Sequence, residues 1–228
     1  MPLLHHEPAA PPPLDPAGWR PQRFGRGSRA LKDAVYEPAW TGLRVLAWVG
    51  PAGTRLVDED GIDDTDDFPE VVEAIGAAAL AADLVLDGYL TLEATQATVG
   101  ATQLLPRAPS APEAMTQLLI GTHRPRREKR QQPLDVDRPI AFVAVDLLVV
   151  DGTTLLEVPL LERKRLLDGA LRVGELVRIT PYTRALVGPY ISTWRALGFT
   201  EMACKGANSR YLPGDRNDAW SSVPLPSR

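Results

Sequence analysis

Residues 36–50 read YEPAWTGLRVLAWVG. A Glu-Pro pair leads into Trp40, Gly42 and Arg44, and then into an apolar run. Such a frame can carry a nucleophile and a carboxylate at the mouth of a buried strand. The two positions that would hold them are Ala39 and Thr41. A methyl group attacks nothing, so any nucleophile must come from elsewhere. The choices are few. Lysine occurs only as Lys32, Lys129, Lys164 and Lys205, and the other basic residues are arginines. Lys164 has helical spacing. The single cysteine, Cys204, excludes an internal disulfide. His5 and His6 are adjacent in a Pro-rich tail, where such a pair is more often inert than a metal site. The segment 58–67, DEDGIDDTDD, holds seven acids in ten residues. It lacks the spacing and final Glu of a calcium loop, so a solvated turn is the better reading and no metal site is expected.

The elements that must position these residues follow from periodicity. LRVLAWV (43–49) reads as a buried strand. Asp67 and Glu70 have the spacing of a capping box ahead of a helix, FPEVVEAIGAAALAA. LVLDGYLTLEA (84–94) reads as a strand with a turn at Asp87-Gly88. Ser110 and Glu113 cap a helix over 111–120. A basic loop follows, in which Arg124, Arg126, Arg127, Lys129 and Arg130 crowd into seven residues. A solvated connection is favoured there over a phosphate-contacting patch, although nucleic acid stays open as its partner. Strands are expected over 140–152, ELVRIT, FTEMACK and AWSSV, and helices around PLLERKRLLDGAL and LVGPYISTWRALG. Strand runs mixed with isolated helices imply an α+β fold. Residues 1–30 hold seven prolines and no apolar periodicity, and read as a flexible leader.

Composition narrows the function classes. The chain is 44% hydrophobic and 24% charged, with a net charge of −4. That balance suits an ordinary globular protein and argues against a dedicated nucleic-acid binder, without excluding a local basic patch. No apolar run is long enough to span a membrane and no secretory signal is evident, so a cytoplasmic location is expected.

With the strands in order, five segments carry a resemblance. EPAWTGLR is similar to a nucleophile motif E-x-K-x-D-G-x-R. DEDGIDDTDDFPEVVEAI is similar to an arginine-bearing segment and its helix. LVLDGYL is similar to an L-D-G-E strand, and FVAVDLLVVDG to an F-D-L-L strand. FTEMACKGANSRYLPGDRNDAW is similar to an E-G-x-V-x-K strand, a Y-x-P-G loop and a final W-x-K-x-K strand. In this order they resemble the adenylation (nucleotidyltransferase) domain of ATP-dependent DNA ligases, especially the bacterial repair type. The resemblance implies two antiparallel sheets with flanking helices around a cleft, ATP and magnesium as cofactors, and a lysine that becomes covalently adenylated before the adenylate passes to a DNA 5′-phosphate.

The same resemblance exposes losses. The lysine nucleophile falls on Ala39 and the acid after it on Thr41. The Ser-Arg pair falls on Asp58-Glu59. Glutamates expected near ribose or metal fall on Tyr89 and Thr200, with Glu201 in place of a glycine. The adenine-stacking aromatic falls on Val145, and two triphosphate lysines fall on Ser222 and Pro224. The frame survives as Glu37, Gly42, Arg44, Asp87, Gly88, Asp146, Lys205, Tyr211, Pro213, Gly214 and Trp220. Of these, Glu37, Arg44, Asp87 and Lys205 are the nucleotide contacts if any nucleotide is held. The glycines are assigned to turns, and Tyr211 and Trp220 to packing. Residues 31–228 are thus expected to form a degenerate adenylation domain without the OB-fold domain of active ligases. The expected role is a non-catalytic binding or scaffold module for a protein or nucleic acid, linked to DNA repair by resemblance, with no catalytic residue and no cofactor needed. Two alternatives stay open: a weak ATP- or AMP-binding regulator, and a ligase or nucleotidyltransferase with altered chemistry.

Overall fold

The computed structural model describes residues 18–25, 31, 33–91, 140–184 and 187–225. The expected helix at 111–120, the basic segment Arg124–Arg130, His5, His6 and Lys32 lie outside the described residues.

Apolar, β-branched runs build a six-stranded main sheet. Its path runs through β4 (Gly53–Asp58), β3 (Leu43–Gly50), β5 (Leu84–Thr91), β6 (Ala141–Val150) and β7 (Thr153–Thr154), and β8 (Val177–Ile179) also pairs with β6. Alternation along β3 divides its side chains between two cores. Leu43, Val45 and Ala47 join the cluster under the helices, while Leu46 and Trp48 join the cluster on the other face. Helix α1 (Pro69–Ala78) buries Val71, Ile75 and Ala78 on the first face. Helix α2 (Leu160–Ala170) buries Leu160, Arg163, Lys164, Leu167 and Ala170. Helix α3 (Val187–Ala196) buries Trp194 in a third cluster with Trp40 and Val145.

The opposite face of the main sheet meets a three-stranded antiparallel sheet: β11 (Trp220–Pro224), β9 (Glu201–Gly206) and β2 (Ala34–Pro38). The two expected antiparallel sheets are therefore present. The structure adds one parallel pairing, β6 with β8, and a parallel two-stranded ribbon of β1 (Arg23–Phe24) and β10 (Arg216–Asn217).

Four local expectations are corrected. Asp87-Gly88 is no turn: β5 runs through it, with register irregularities that bend the strand against β6. Gly88 is required because the Phe142 ring crosses it, and a Cβ there would lie 2.3 Å from Phe142 Cε2. The capping box of Asp67 and Glu70 does not form. Asp67 closes a short 3-10 turn, Phe68 is the N-cap without a side-chain cap bond, and Pro69 starts the helix. Burial of the Phe68 ring anchors that entry. The acidic turn is only partly solvated. Asp58 is buried and accepts bonds from the N–H groups of Asp60 and Ile62, while Arg55 bonds Asp63. Finally, residues 18–25, placed in the flexible leader, are built into the fold. Trp19 meets Trp48 edge-on at 5.6 Å, Phe24 packs on Trp220, and Gln22 is fully buried.

Candidate active-site cleft

The two sheets enclose a cleft of about 290 Å³. Phe24, Trp40, Tyr89 and Val145 supply its apolar walls, Glu37 and Lys205 its deepest polar groups, and Ala39, Thr41, Thr200, Glu201 and Ser222 also line it. Ala39 follows β2 directly, and its N–H donates to Glu201 O at 3.1 Å. The backbone thus holds the expected nucleophile position in the cleft wall, with a methyl group on it.

Glu37 sits beneath this position and is 1% exposed. It binds two ammonium groups. Lys205 Nζ donates to one oxygen at 2.9 Å, and Lys164 pairs with the other. Lys205 also lies 4.2 Å from the Trp220 ring centroid, a cation–π contact. Lys205 was expected at the cleft; Lys164 was not. Lys164 arrives because α2 turns its Leu160–Arg163–Lys164–Leu167 stripe inward, and a basic residue on that spacing reads as solvated. Burial lowers the Lys164 pKa, and the neighbouring Lys205 lowers it further, against the pull of Glu37. Two cations on one carboxylate leave one buried positive charge in excess.

A second charged layer adjoins it. Asp87 on β5 and Asp146 on β6 are register partners, both fully buried. Two facing carboxylates would repel. Each is instead gripped by a bidentate arginine. Arg44 donates to Asp87 at 3.0 and 2.7 Å, and Arg163 donates to Asp146 at 2.9 and 2.7 Å. Burial pulls the Arg44 pKa down, but Asp87, Tyr89 and Tyr211 together outweigh it and the net shift is upward. Tyr211 ties the layer together: its hydroxyl donates to Asp87 at 2.8 Å and accepts from the Gln22 N–H at 2.9 Å, and Arg163 lies over its ring. Arg44 stands beside the Phe24 and Tyr89 rings, with Glu59 3.8 Å from its Nη1. An acid thus reaches Arg44 from the segment where the resemblance expects an arginine.

All four expected nucleotide contacts are therefore brought to one region, and each is engaged inside the protein. A phenol and a thiol stand beside the cleft. Burial, reinforced by Asp87, Glu59 and Glu37, pushes the Tyr89 phenol up to about 12. Burial also pushes the Cys204 thiol up to about 11. Both stay protonated at neutral pH. The carboxylates that could meet a magnesium ion are likewise occupied: Glu37 by the lysines, Asp87 by Arg44, and Glu201 by the Ser222 hydroxyl at 2.6 Å. Among the described residues no cluster of three or more His, Cys, Asp or Glu could hold a metal ion.

Comparison with known proteins places this geometry. The ligase domain of M. tuberculosis LigD superposes with a TM-score of 0.65 at 22% identity, over 92% of this chain and 61% of that one. A mycobacterial DNA ligase D, complexed with ATP and MES, matches with a TM-score of 0.64 at 21% identity, over 92% and 62%. The fold is that of a DNA-ligase nucleotidyltransferase domain. In sequence the ligase-like domain is 25% identical over 201 residues to DNA ligase 2 of Methanosarcina mazei, covering 84% of this chain and 32% of the relative. It is 30% identical over 192 residues to a probable DNA ligase of Kineococcus radiotolerans, covering 80% and 32%. The chain thus spans about a third of the length of these curated relatives. No protein-family model matches it. The ligase-like domain resembles the adenylation domain of bacterial-type ATP-dependent DNA ligases.

Proposed function

We propose that this ligase-like domain does not transfer nucleotides and acts as a binding or scaffold module. The observation that carries the reading is Ala39, a methyl group at the cleft position where the resemblance requires an amine. Nearby amines do not substitute. Lys164 and Lys205 both face Glu37 from within the fold, and a nucleophile needs a free lone pair aimed at the phosphorus. Phosphoryl chemistry also depends on cations around the transferring group, and Tyr89, Thr200, Ser222 and Pro224 stand where the resemblance expects charged side chains. The role would lie in DNA repair insofar as its relatives are DNA ligases, with a protein or nucleic acid as partner.

The deciding experiment is intact-mass spectrometry after incubation with ATP and magnesium. We expect no adduct. A gain of one AMP on any residue would establish a nucleotidyltransferase with altered chemistry and sink the proposal.

One observation favours a second reading, a weak nucleotide-binding regulator. The cleft is open and Lys205 lines it. Calorimetric titration with ATP, with and without magnesium, separates the two. Saturable heat without adenylation supports the regulator; no heat up to millimolar nucleotide leaves the binding module alone.

A further inference from the structure

The two charged layers under the cleft are one anion short. Four cations, Arg44, Arg163, Lys164 and Lys205, meet three carboxylates, Glu37, Asp87 and Asp146, and every one of these side chains is 5% exposed or less. Asp87 and Asp146 are each matched by one arginine. Glu37 is shared between Lys164 and Lys205. A further acid, Glu59, reaches Arg44 rather than a lysine and is 54% exposed. A buried charge without a counter-ion is costly, and an anion placed beside it removes that cost. Burial and the neighbouring Lys205 hold the Lys164 pKa down, which reports the same shortage.

The two lysines differ in access. Lys205 lines the cleft, whereas Lys164 is fully buried on α2. An ammonium carries three N–H donors, and Glu37 takes one from Lys205 at 2.9 Å. The Trp220 ring, 4.2 Å away, offers a π face and no counter-ion. The walls select what the anion is attached to. Phe24, Trp40 and Tyr89 line the cleft, and their rings are already held in place. Trp40 Nε1 donates to Thr180 Oγ1 at 2.8 Å, and the Trp40 ring meets Phe199 edge-on at 5.0 Å. Phe24 packs on Trp220, and Tyr89 lies beside Arg44. A volume of about 290 Å³ is at the small end of ligand pockets. Polyanions are disfavoured. Among the described residues that line the cleft Lys205 is the one cation, and the Glu201 carboxylate, bonded by the Ser222 hydroxyl at 2.6 Å, stands there too. One anionic charge balances the floor; further charges would face Glu37 and Glu201.

We propose that the cleft binds a small aromatic monocarboxylate, its carboxylate accepting from Lys205 Nζ and its ring lying among Phe24, Trp40 and Tyr89. The proposal goes beyond the binding reading above by giving the cleft a ligand of its own. It involves no adenylation, so the two can fail separately.

The test is calorimetric titration of the unaltered protein with phenylacetate, phenylacetamide, acetate and ATP. The amide keeps the ring and loses the charge; acetate keeps the charge and loses the ring. We expect saturable phenylacetate binding with a Kd of about 1 mM or tighter, and about tenfold or more weaker binding of the amide and of acetate. No saturable heat from phenylacetate, or equal affinity for the amide, overturns the proposal. ATP binding more tightly than phenylacetate also overturns it. Two variants test the charge argument. Lys205→Gln should erase the preference for acid over amide. Lys164→Met lies away from the ligand but removes the surplus charge, and should weaken phenylacetate binding several-fold while leaving the amide unchanged. Thermal melts without ligand establish that each variant is folded. Full phenylacetate affinity in folded Lys164→Met would refute the charge argument even if Lys205→Gln does not fold.

Discussion

At the scale of single residues, the cleft is governed by a charge imbalance. Glu37 neutralises one of its two lysines, and the other is surplus. The two ways of disturbing this trio should therefore differ sharply. Glu37→Gln leaves two buried ammonium groups facing each other, and should destabilise the fold by about 3–5 kcal/mol in denaturant titration. Lys164→Met leaves a balanced pair and should cost less than about 1 kcal/mol, or stabilise. Equal losses in the two variants would contradict the assignment. The pH dependence has a definite sign. The folded pKa of Lys164 is lowered from 10.5, so below that lowered value both states hold the proton and the penalty is complete. Between the two values the folded chain releases its proton while the unfolded chain keeps it, so stability rises with pH. Stability of the unaltered protein relative to Lys164→Met should accordingly climb in alkaline solution. Tyr211→Phe should cost about 1–3 kcal/mol, because the Gln22 N–H and an Asp87 oxygen lose their shared hydroxyl. Sequence alone brought Glu37, Arg44, Asp87 and Lys205 to the cleft by resemblance. It missed Arg163 and Lys164 because charge outvoted spacing. Both lie three and four positions after buried Leu160 and before buried Leu167, and that apolar stripe was the available signal.

At the scale of elements, strands were more legible than their punctuation. The apolar runs at 43–49 and 140–152 became β3 and β6 within a few residues, since continuous burial on both faces leaves a strong signal. Asp87-Gly88 misled because the dipeptide has turn chemistry, yet its glycine answers a neighbour on the next strand. Gly88→Ala tests this. The added methyl meets the Phe142 ring edge and Val143 O, so the variant should lose at least about 1–3 kcal/mol. Gly152→Ala, with nothing within 4 Å of its Cβ but a positive φ of 73°, should lose less, through backbone strain alone. A reversed order in thermal melts would restore the turn assignment. Helix entry at Phe68-Pro69 misled in the same way. Of the acids that suggested a capping box, Asp67 ends the preceding 3-10 turn and Glu70 lies inside the first helical turn, while an aromatic anchor and a proline set the start.

At the scale of the whole molecule, the arm at 18–25 is the part that composition concealed. Proline and arginine masked two aromatic anchors, Trp19 and Phe24, and a buried glutamine. Deleting residues 1–25 should cost about 2–4 kcal/mol, since Trp48 and Trp220 lose their ring partners and Tyr211 and Asn217 lose Gln22. An unchanged melting temperature would return the arm to the status of a leader. The hydrogen bonds that seat this arm join groups 189 to 195 positions apart. That separation fixes an order in time. Contacts so distant along the chain close late, after nearer pairings have brought the ends together. On a ribosome the arm emerges before β10, its partner strand, which is made roughly 10–40 s afterwards. Through that interval Phe24 lacks its ring partner Trp220, whereas Trp48, the partner of Trp19, is made much sooner. Phe24 is thus made long before the ring that seats it.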